Sequence, residues 1–441
     1  MGQSKTSAAA RIVAAACAGV LLMSARVEAQ TPDTLKLTLD EVVQRAMAHS
    51  PQVVQAQGAV QTAGAAELSA IGAFLPNLNI SSGAALSSTQ RFDPNTNTNV
   101  TGSSDSYNAG ISSSIDLFTG GRRGAQLTQA RAETRASEAA LVEQHYAVTL
   151  NAKTAYFDVA RAADLIRSAE ARLQRADEGL AAAQLRSQAG SATRSDVLRA
   201  ELERTNSRQA LLTAHNQKRA AMFALGRLVA VDGPVDVVVD EPVAAADLPL
   251  TPEQLLELAL AQSPSVITAE ANERAALAGV RVSRSQYMPS VNGSGSYNWN
   301  NDAPSFQDLR SSWTLRLGLS FPVFNRFARE EAVERSQVQA QVARYQLDDA
   351  RRATRAELER VLGTLETARQ QIAIAREALA LAEEDLRVQQ ERYRLGVSTI
   401  LEQVTSQENL VTAEANLIAA QYDYQLALAQ LEALIGRELQ D

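Results

Sequence analysis

Two long tracts without proline constrain the fold of this chain more than any other feature of its sequence. Residues 122–189 and 327–395 contain no proline. Mostly apolar or small residues recur in both tracts, in alternating steps of four and three. In the first tract this series comprises Val148, Ala152, Ala155, Val159, Ala162, Ile166, Ala169, Leu173, Ala176, Leu180 and Ala183. Such heptad spacing predicts coiled-coil helices that pack side by side, each spanning roughly 100 Å at 1.5 Å per residue.

The two tracts belong to two copies of one longer pattern. Residues 38–51 reappear as residues 251–264, and each segment ends in Ser-Pro after a capping-box start. Gly190 and Gly396 end the two tracts and predict turns into returning helices. We therefore predict a first structural repeat over residues 30–230, an equatorial connection over 231–250 and a second repeat over 251–441.

Upstream of each long tract, two segments show the alternation of β-strands. Residues 107–117 and 313–323 place mostly apolar side chains at odd positions, and the alternation in residues 78–86 and 291–299 is weaker. Strands of roughly 9–13 residues suit tilted membrane-spanning segments. The linkers 91–105 and 301–310 are rich in Asn, Asp, Ser, Thr and Gly, which predicts exposed loops.

Three aromatic residues lie on the predicted strands of the second copy, namely Tyr297, Trp299 and Trp313. Aromatic side chains gather where a bilayer meets water, so these residues are candidates for a membrane-interface belt. Ordinary packing within the sheet is the alternative interpretation.

The N-terminal residues 1–29 read as a signal peptide. Lys5 and Arg11 flank an apolar run, and small residues precede a cleavage point after Ala29. A lipid anchor on Cys17, the one cysteine of the chain, stays open. The net charge of −8 argues against nucleic acid as a partner.

These features together predict a mixed α/β membrane protein, made mainly of long antiparallel coiled-coil α-helices with four transmembrane β-strands per subunit. Four strands cannot span a membrane alone, because the open edges would leave backbone groups unpaired in lipid. Single-chain bacterial barrels begin at about 8 strands, so subunits must share a barrel. Together with the export signal, this describes a channel in the outer membrane that extends into the periplasm.

The duplicated Ser-Pro starts, the Leu117-Phe-Thr-Gly-Gly-Arg-Arg123 segment and the Pro322-Val-Phe-Asn-Arg326 segment resemble the TolC-like outer-membrane efflux protein family. The resemblance implies a homotrimer with a shared 12-stranded barrel and an α-helical tunnel. It also implies an exit duct for efflux or secretion, which docks onto a periplasmic adaptor protein and an inner-membrane pump.

That resemblance also assigns roles to the helical tips. It implies that the tip turns with Gly190, Thr193, Gly396 and Thr399 contact the adaptor. It further implies that the acidic residues Asp196 and Glu402 line the periplasmic aperture, although their spacing from the two threonines equally suits helix capping alone. The family often has an aromatic residue before the tip glycine, a pattern that Tyr393 follows and Ser187 does not.

No catalytic triad, metal-ligand set or cofactor motif stands out in the sequence, so we predict no enzymatic activity, no cofactor and no metal. The sequence argues against three other classes of protein. A structural periplasmic coiled-coil protein would not need the alternating strands, a passive porin would not need the long helices, and a surface adhesin would place its bulk outside the cell.

Overall fold

The computed structural model describes residues 35–94, 97–238, 250–302 and 310–437. The predicted signal peptide, residues 1–29, lies outside the described residues, as does most of the predicted equatorial connection. Within the described ranges, no helix combines the length and the apolar character that a bilayer crossing demands.

The same order of elements occurs in both halves of the chain. The first half comprises β1 (Leu35–Leu37), α1 (Leu39–His49), α2 (Pro51–Gly72), β2 (Asn77–Asp93), β3 (Thr98–Phe118), α3 (Arg122–Gln188) and α4 (Arg194–Leu228). The second half comprises β4 (Val235–Val237), α5 (Pro252–Gln262), α6 (Pro264–Arg284), a 3-10 turn (Ser285–Tyr287), β5 (Ser290–Asn301), β6 (Arg310–Ser320), α7 (Ala328–Arg394) and α8 (Ile400–Ile435).

The long helices α3 and α7 confirm the prediction from the heptad seams. Each has 67 residues, and three of their four ends differ from the predicted bounds by one residue. Most seam positions are buried, as in Val148, Ala152 and Val159 of α3 and Leu358 and Val361 of α7. Each long helix packs along its returning partner, α4 or α8, and α3 also packs against α8.

The core sits where the short helices meet the long ones. Two clusters of fully or nearly fully buried side chains occupy equivalent places in the two halves. The first includes Val42, Ala152, Val159, Leu225 and Val235. The second includes Leu255, Leu358, Val361, Leu431 and Ile435. Alanine on the seams allows the helix backbones to approach closely, and the larger valines and leucines fill the space between the helices in these clusters.

Helix starts follow the predicted capping residues with one exception. Thr38 and Thr251 form complete capping boxes, and the Ser50 hydroxyl accepts from the Val53 amide at 3.4 Å. Ser263 makes no such bond, since its hydroxyl lies 3.0 Å from that of Ser265. Ser263 therefore occupies the predicted N-cap position without a side-chain cap, and Pro264 at the first helical position marks this start.

The connection between the halves contains a short strand, β4. β4 pairs in parallel with β1, with Leu35 opposite Val235 and Leu37 opposite Val237. The first and second halves are thereby tied together beside the first core cluster.

The other four strands form one antiparallel sheet in the order β2-β3-β5-β6. Its outer strands, β2 and β6, are open edges within the chain. The linker predicted over residues 91–105 is mostly strand, because β2 continues through Asp93 and β3 begins at Thr98. Backbone pairing needs no apolar side chains, so a polar composition did not end these strands.

The two faces of the sheet differ in chemistry. One face exposes large apolar side chains, namely Leu78, Ile80, Ile111, Trp313, Leu315, Leu317 and Leu319. The opposite face lines an open polar depression with Asn77, Asn79, Ser112, Ser114, Ser294, Ser296, Thr314 and Arg316. An exposed apolar face backed by a polar face is the arrangement of a barrel wall between lipid and water.

Candidate functional sites at the helical tips and in the sheet

The first tip turn, between α3 and α4, is a Schellman motif. The Ser191 amide donates to the Arg186 carbonyl at 2.8 Å, and the Gly190 amide donates to the Ser187 carbonyl at 3.0 Å. These bonds require a left-handed residue after the helix, and Gly190 has φ +74°. The glycine predicted from sequence is therefore the residue that reverses the chain.

The second tip turn, between α7 and α8, repeats this geometry. The Val397 amide donates to the Arg392 carbonyl, and the Gly396 amide donates to the Tyr393 carbonyl, both at 3.0 Å. Gly396 has φ +79°. The two turns thus present equivalent backbone shapes at the same end of the helical bundle.

The acidic residues beyond the two turns differ in their hydrogen bonds. Asp196 closes a capping box, because its carboxylate accepts from the Thr193 amide at 2.8 Å and its amide donates to the Thr193 hydroxyl at 3.2 Å. The Thr193 hydroxyl also donates to this carboxylate at 2.8 Å, and the two hydrogen bonds from Thr193 hold the pKa of Asp196 below its usual value. Capping is therefore a role that Asp196 performs in this structure.

Glu402 is held less firmly. Its amide donates to the Thr399 hydroxyl at 3.4 Å, so Thr399 caps α8. Its carboxylate accepts from the same hydroxyl at a long 3.5 Å and lies 4.0 Å from the Arg392 guanidinium. The Glu402 side chain is about half exposed, which leaves its charge accessible from outside the turn.

The two tips contact each other through a pair that sequence reasoning missed. The Arg186 guanidinium lies 4.3 Å from the centre of the Tyr393 ring and donates to the Tyr393 carbonyl. Tyr393 is only 6 % exposed. Arg186 and Arg392 both stand four residues before a tip glycine, but this equivalence does not relate Arg186 to Tyr393.

Burial raises the pKa of the Tyr393 hydroxyl; the Arg186 charge opposes this rise and the Asp196 charge adds to it. Within the described part of the chain, this hydroxyl is buried and has no hydrogen-bond partner. Arg186, Tyr393 and Asp196 therefore bring both hairpins into one electrostatic cluster at the tip.

The three aromatic candidates of the sheet lie together on its apolar face. Tyr297 stands opposite Trp313 on the neighbouring strand, and its ring centre lies 4.7 Å from that of Trp299. Trp313 is 74 % exposed. All three lie toward the hairpin end of the sheet, far from the helices, so they are placed together at one height of the barrel wall.

A second pair of equivalent contacts marks the junction between sheet and helices. The Arg123 guanidinium lies 4.9 Å from the Phe74 ring centre and donates to the Ala73 carbonyl. Arg329 lies 4.8 Å from the Tyr287 ring centre in the same way. In each half, an arginine at the start of the long helix thus contacts an aromatic residue that follows the preceding short helix.

The model of the family described as "Outer membrane efflux protein" matches residues 42–231 and 255–437. The chain is 28 % identical over 350 residues to Protein CyaE of Bordetella pertussis, which covers 76 % of this chain and 70 % of CyaE. It is 27 % identical over 292 residues to the pyoverdine export outer membrane protein OpmQ of Pseudomonas aeruginosa, which covers 65 % of this chain but only 61 % of OpmQ.

The solved structures agree on the fold. A crystal structure of CusC superposes with a TM-score of 0.81 at 19 % identity, over 92 % of this chain and 94 % of that one. At this level of identity the match bears on the arrangement of sheet and helices alone.

Proposed function

The chain belongs to the outer membrane efflux protein family, and we propose that it works as a homotrimer joined to a periplasmic adaptor protein and an inner-membrane pump. It is a subunit of an outer-membrane channel, through which cargo leaves the cell. Three copies of the four-stranded sheet would close a 12-stranded barrel, and three sets of long helices would close the tunnel below it.

The observation that carries this proposal is the continuity between the sheet and the two 67-residue helices. The sheet has a lipid-type face and two open edges, which demand neighbouring copies in a membrane. The helices extend from the same sheet for roughly 100 Å each. A passive porin would need only the sheet, whereas a duct that reaches a partner across the periplasm needs both.

We assign the adaptor contact to the tip turns around Gly190, Thr193, Gly396 and Thr399. They lie at the end of the helical bundle farthest from the sheet, and both turns have the same backbone geometry. Exposed side chains surround them, including Val397. A partner that contacts both tips in each of three subunits would meet six similar surfaces.

We assign the aperture to the acidic residues beside those turns. Glu402 carries an accessible charge, and Asp196 combines capping with a position next to the cross-tip contact. We further propose that Tyr297, Trp299 and Trp313 lie at the outer membrane–water interface, where aromatic rings are favoured.

The chain divides, in this proposal, into the repeats 30–230 and 251–441 with the connection 231–250 between them. Two separate matches to one family model support a duplication. The proposed duct carries out no catalysis and holds no cofactor. Its function is to enclose a water-filled channel.

Crosslinking tests the docking role directly. Cys17 is the only cysteine and precedes the predicted cleavage point, so single cysteines can be introduced into a thiol-free mature chain. Val397→Cys at a tip should crosslink to the adaptor in intact cells. Gln370→Cys, exposed on α7 nearer its middle, is the matched control and should not.

Equal crosslinking at both positions, or none at the tip, would remove the tip-docking assignment. The size of the detergent-extracted oligomer tests the trimer separately, and loss of export on deletion of the gene tests the duct against a passive pore.

A further inference from the structure

Arg316 is a charged residue in the middle of the polar face of the sheet. It lies on β6 between Leu315 and Leu317, which point to the opposite, apolar face and are 79 % and 73 % exposed. The Arg316 side chain is itself exposed, and it lines the polar depression beside Thr314. Its height is therefore that of the apolar band.

The other charges described on this face are compensated. Asp116 forms an ion pair with Arg122 at 3.3 Å, at the helix end of the sheet. Arg310 forms an ion pair with Asp302 at 2.9 Å, at the hairpin end. Among the side chains that the structure describes, Arg316 has no carboxylate within 4.0 Å. It is therefore the uncompensated charge of the central part of this face.

The residues paired in register with Arg316 across the sheet are small and uncharged. Ser294 stands directly opposite it on β5, Ser114 stands opposite Ser294 on β3, and Asn77 stands opposite Ser114 on β2. None of these side chains can reach far into the lumen or neutralise a guanidinium. Each subunit would thus contribute one long cationic side chain and three short polar ones to this row of paired residues.

Resting on the trimeric duct proposed above, we propose that the three Arg316 side chains form a ring inside the barrel that binds multivalent anions bearing phosphate or carboxylate groups. Twelve strands at the usual spacing and tilt give a barrel roughly 24 Å across. The long side chains then bring their guanidinium groups within roughly 10 Å of one another, comparable to the Debye length of about 8 Å at physiological ionic strength.

The chemistry of the ring fits such ligands. Guanidinium groups present planar pairs of N–H donors that match carboxylate and phosphate oxygens. Charges of one sign in a narrow passage with low-dielectric walls also concentrate counter-ions there. An anion with several charged groups could contact more than one subunit at once, whereas a monovalent anion could not.

Block of single channels by inorganic tripolyphosphate tests the ring. The purified oligomer is inserted into planar bilayers, and tripolyphosphate is added on the barrel side at low salt. The wild-type current should show concentration-dependent block that weakens as salt is raised. Arg316→Gln should weaken this block by at least roughly tenfold, because all three charges are lost together.

Two variants separate charge from bulk. Arg316→Lys keeps the charge, so tripolyphosphate should still block most of the current. Thr314→Gln adds a neutral side chain of similar size on the same face, and tripolyphosphate should block this variant as it blocks wild type. If both channels conduct and tripolyphosphate blocks Arg316→Gln and wild type equally, the ring is overturned while the proposed duct stands. A chain that forms no conducting oligomer overturns the proposed duct, and the ring with it.

Discussion

The guanidinium of Arg186 lies over the ring of Tyr393 and donates to its carbonyl, so the last turn of α3 contacts the last turn of α7. This contact joins the two helical hairpins at the end that is farthest from the sheet. A cation–π contact stabilises by roughly 0.5–1 kcal/mol when it is exposed and by about 2 kcal/mol when it is desolvated. This energy is small compared with the packing energy of whole helices, but the contact lies at the tips, where the opening of the tunnel would be narrow.

Arg186→Gln should therefore leave the oligomer intact and enlarge the opening between the tips. We expect a higher single-channel conductance with no change in the amount of extracted oligomer. Arg387→Gln is the matched control, since in the described part of the chain Arg387 forms its ion pair with Glu384 on its own helix; the variant should leave conductance unchanged. Equal conductance of wild type and Arg186→Gln would show that this contact does not restrict the opening.

Local patterns were sufficient to predict most of the fold. The seam from Val148 to Ala183 predicted α3, because a helix of that length must bury one stripe along its whole course. The capping pairs Thr38 with Glu41 and Thr193 with Asp196 predicted helix starts, because their bonds involve only neighbouring residues. The extension of β2 and β3 was missed, since strand pairing depends on a partner that is distant in sequence.

The site was predicted only as far as local chemistry reaches. Gly190 and Gly396 could be recognised as turn residues because left-handed backbone favours glycine. The contact of Arg186 with Tyr393 joins residues from different repeats, and no spacing rule relates them. Arg316 likewise stood in the alternating pattern of β6 as one polar position among several, and only the paired strands show that its neighbours carry no charge.

The apolar face of the sheet gives a second prediction. Leu317 is 73 % exposed on that face, whereas Thr314 lies on the polar face of the same strand. Arginine at the bilayer midplane costs roughly 2–4 kcal/mol on a lipid face. Leu317→Arg should reduce the assembled oligomer in outer-membrane extracts, and Thr314→Arg should assemble normally. Equal yields of the two variants would contradict the assignment of the faces.

The tip glycines give a third prediction, in which assembly and docking separate. Gly396→Leu forces a side chain into left-handed backbone, at a cost of roughly 1–2 kcal/mol. A Cβ there would also lie 3.5 Å from the Arg186 guanidinium. We expect a normal oligomer with greatly weakened adaptor crosslinking and export.

Gly363→Leu is the control for the third prediction, because Gly363 lies in the middle of α7 with open space around its Cβ position. It should crosslink and export like wild type. If Gly396→Leu does the same, the tip turns are not a docking surface.

The cap at the first tip gives a fourth prediction, on pH. Hydrogen bonds from Thr193 lower the pKa of Asp196 in the folded chain, so the ionised carboxylate stabilises the turn. That stabilisation is fully present above the usual pKa of aspartate, about 3.9, and is lost as the pH falls through the lowered value. Hydrogen exchange in the first turn of α4, corrected for intrinsic rates, should keep its protection down to about pH 4 and lose it below. Asp196→Asn should have less protection at neutral pH and a flatter profile, and an unchanged profile would argue against the cap.

Glu402 gives the last prediction, because its geometry separates capping from a role in the aperture. Thr399 caps α8 with its own hydroxyl, and the Glu402 carboxylate makes only a long contact with that hydroxyl. Glu402→Gln keeps the size of the side chain and removes its charge, so the turn and the oligomer should be preserved. If Glu402 lines the aperture, the variant should show weaker block by divalent cations added on the tip side, measured in single channels. Asp177→Asn removes a charge that is paired with Arg204 above the tip and should leave that block unchanged. Identical block in Glu402→Gln and wild type would restrict Glu402 to the weak contacts seen at the turn.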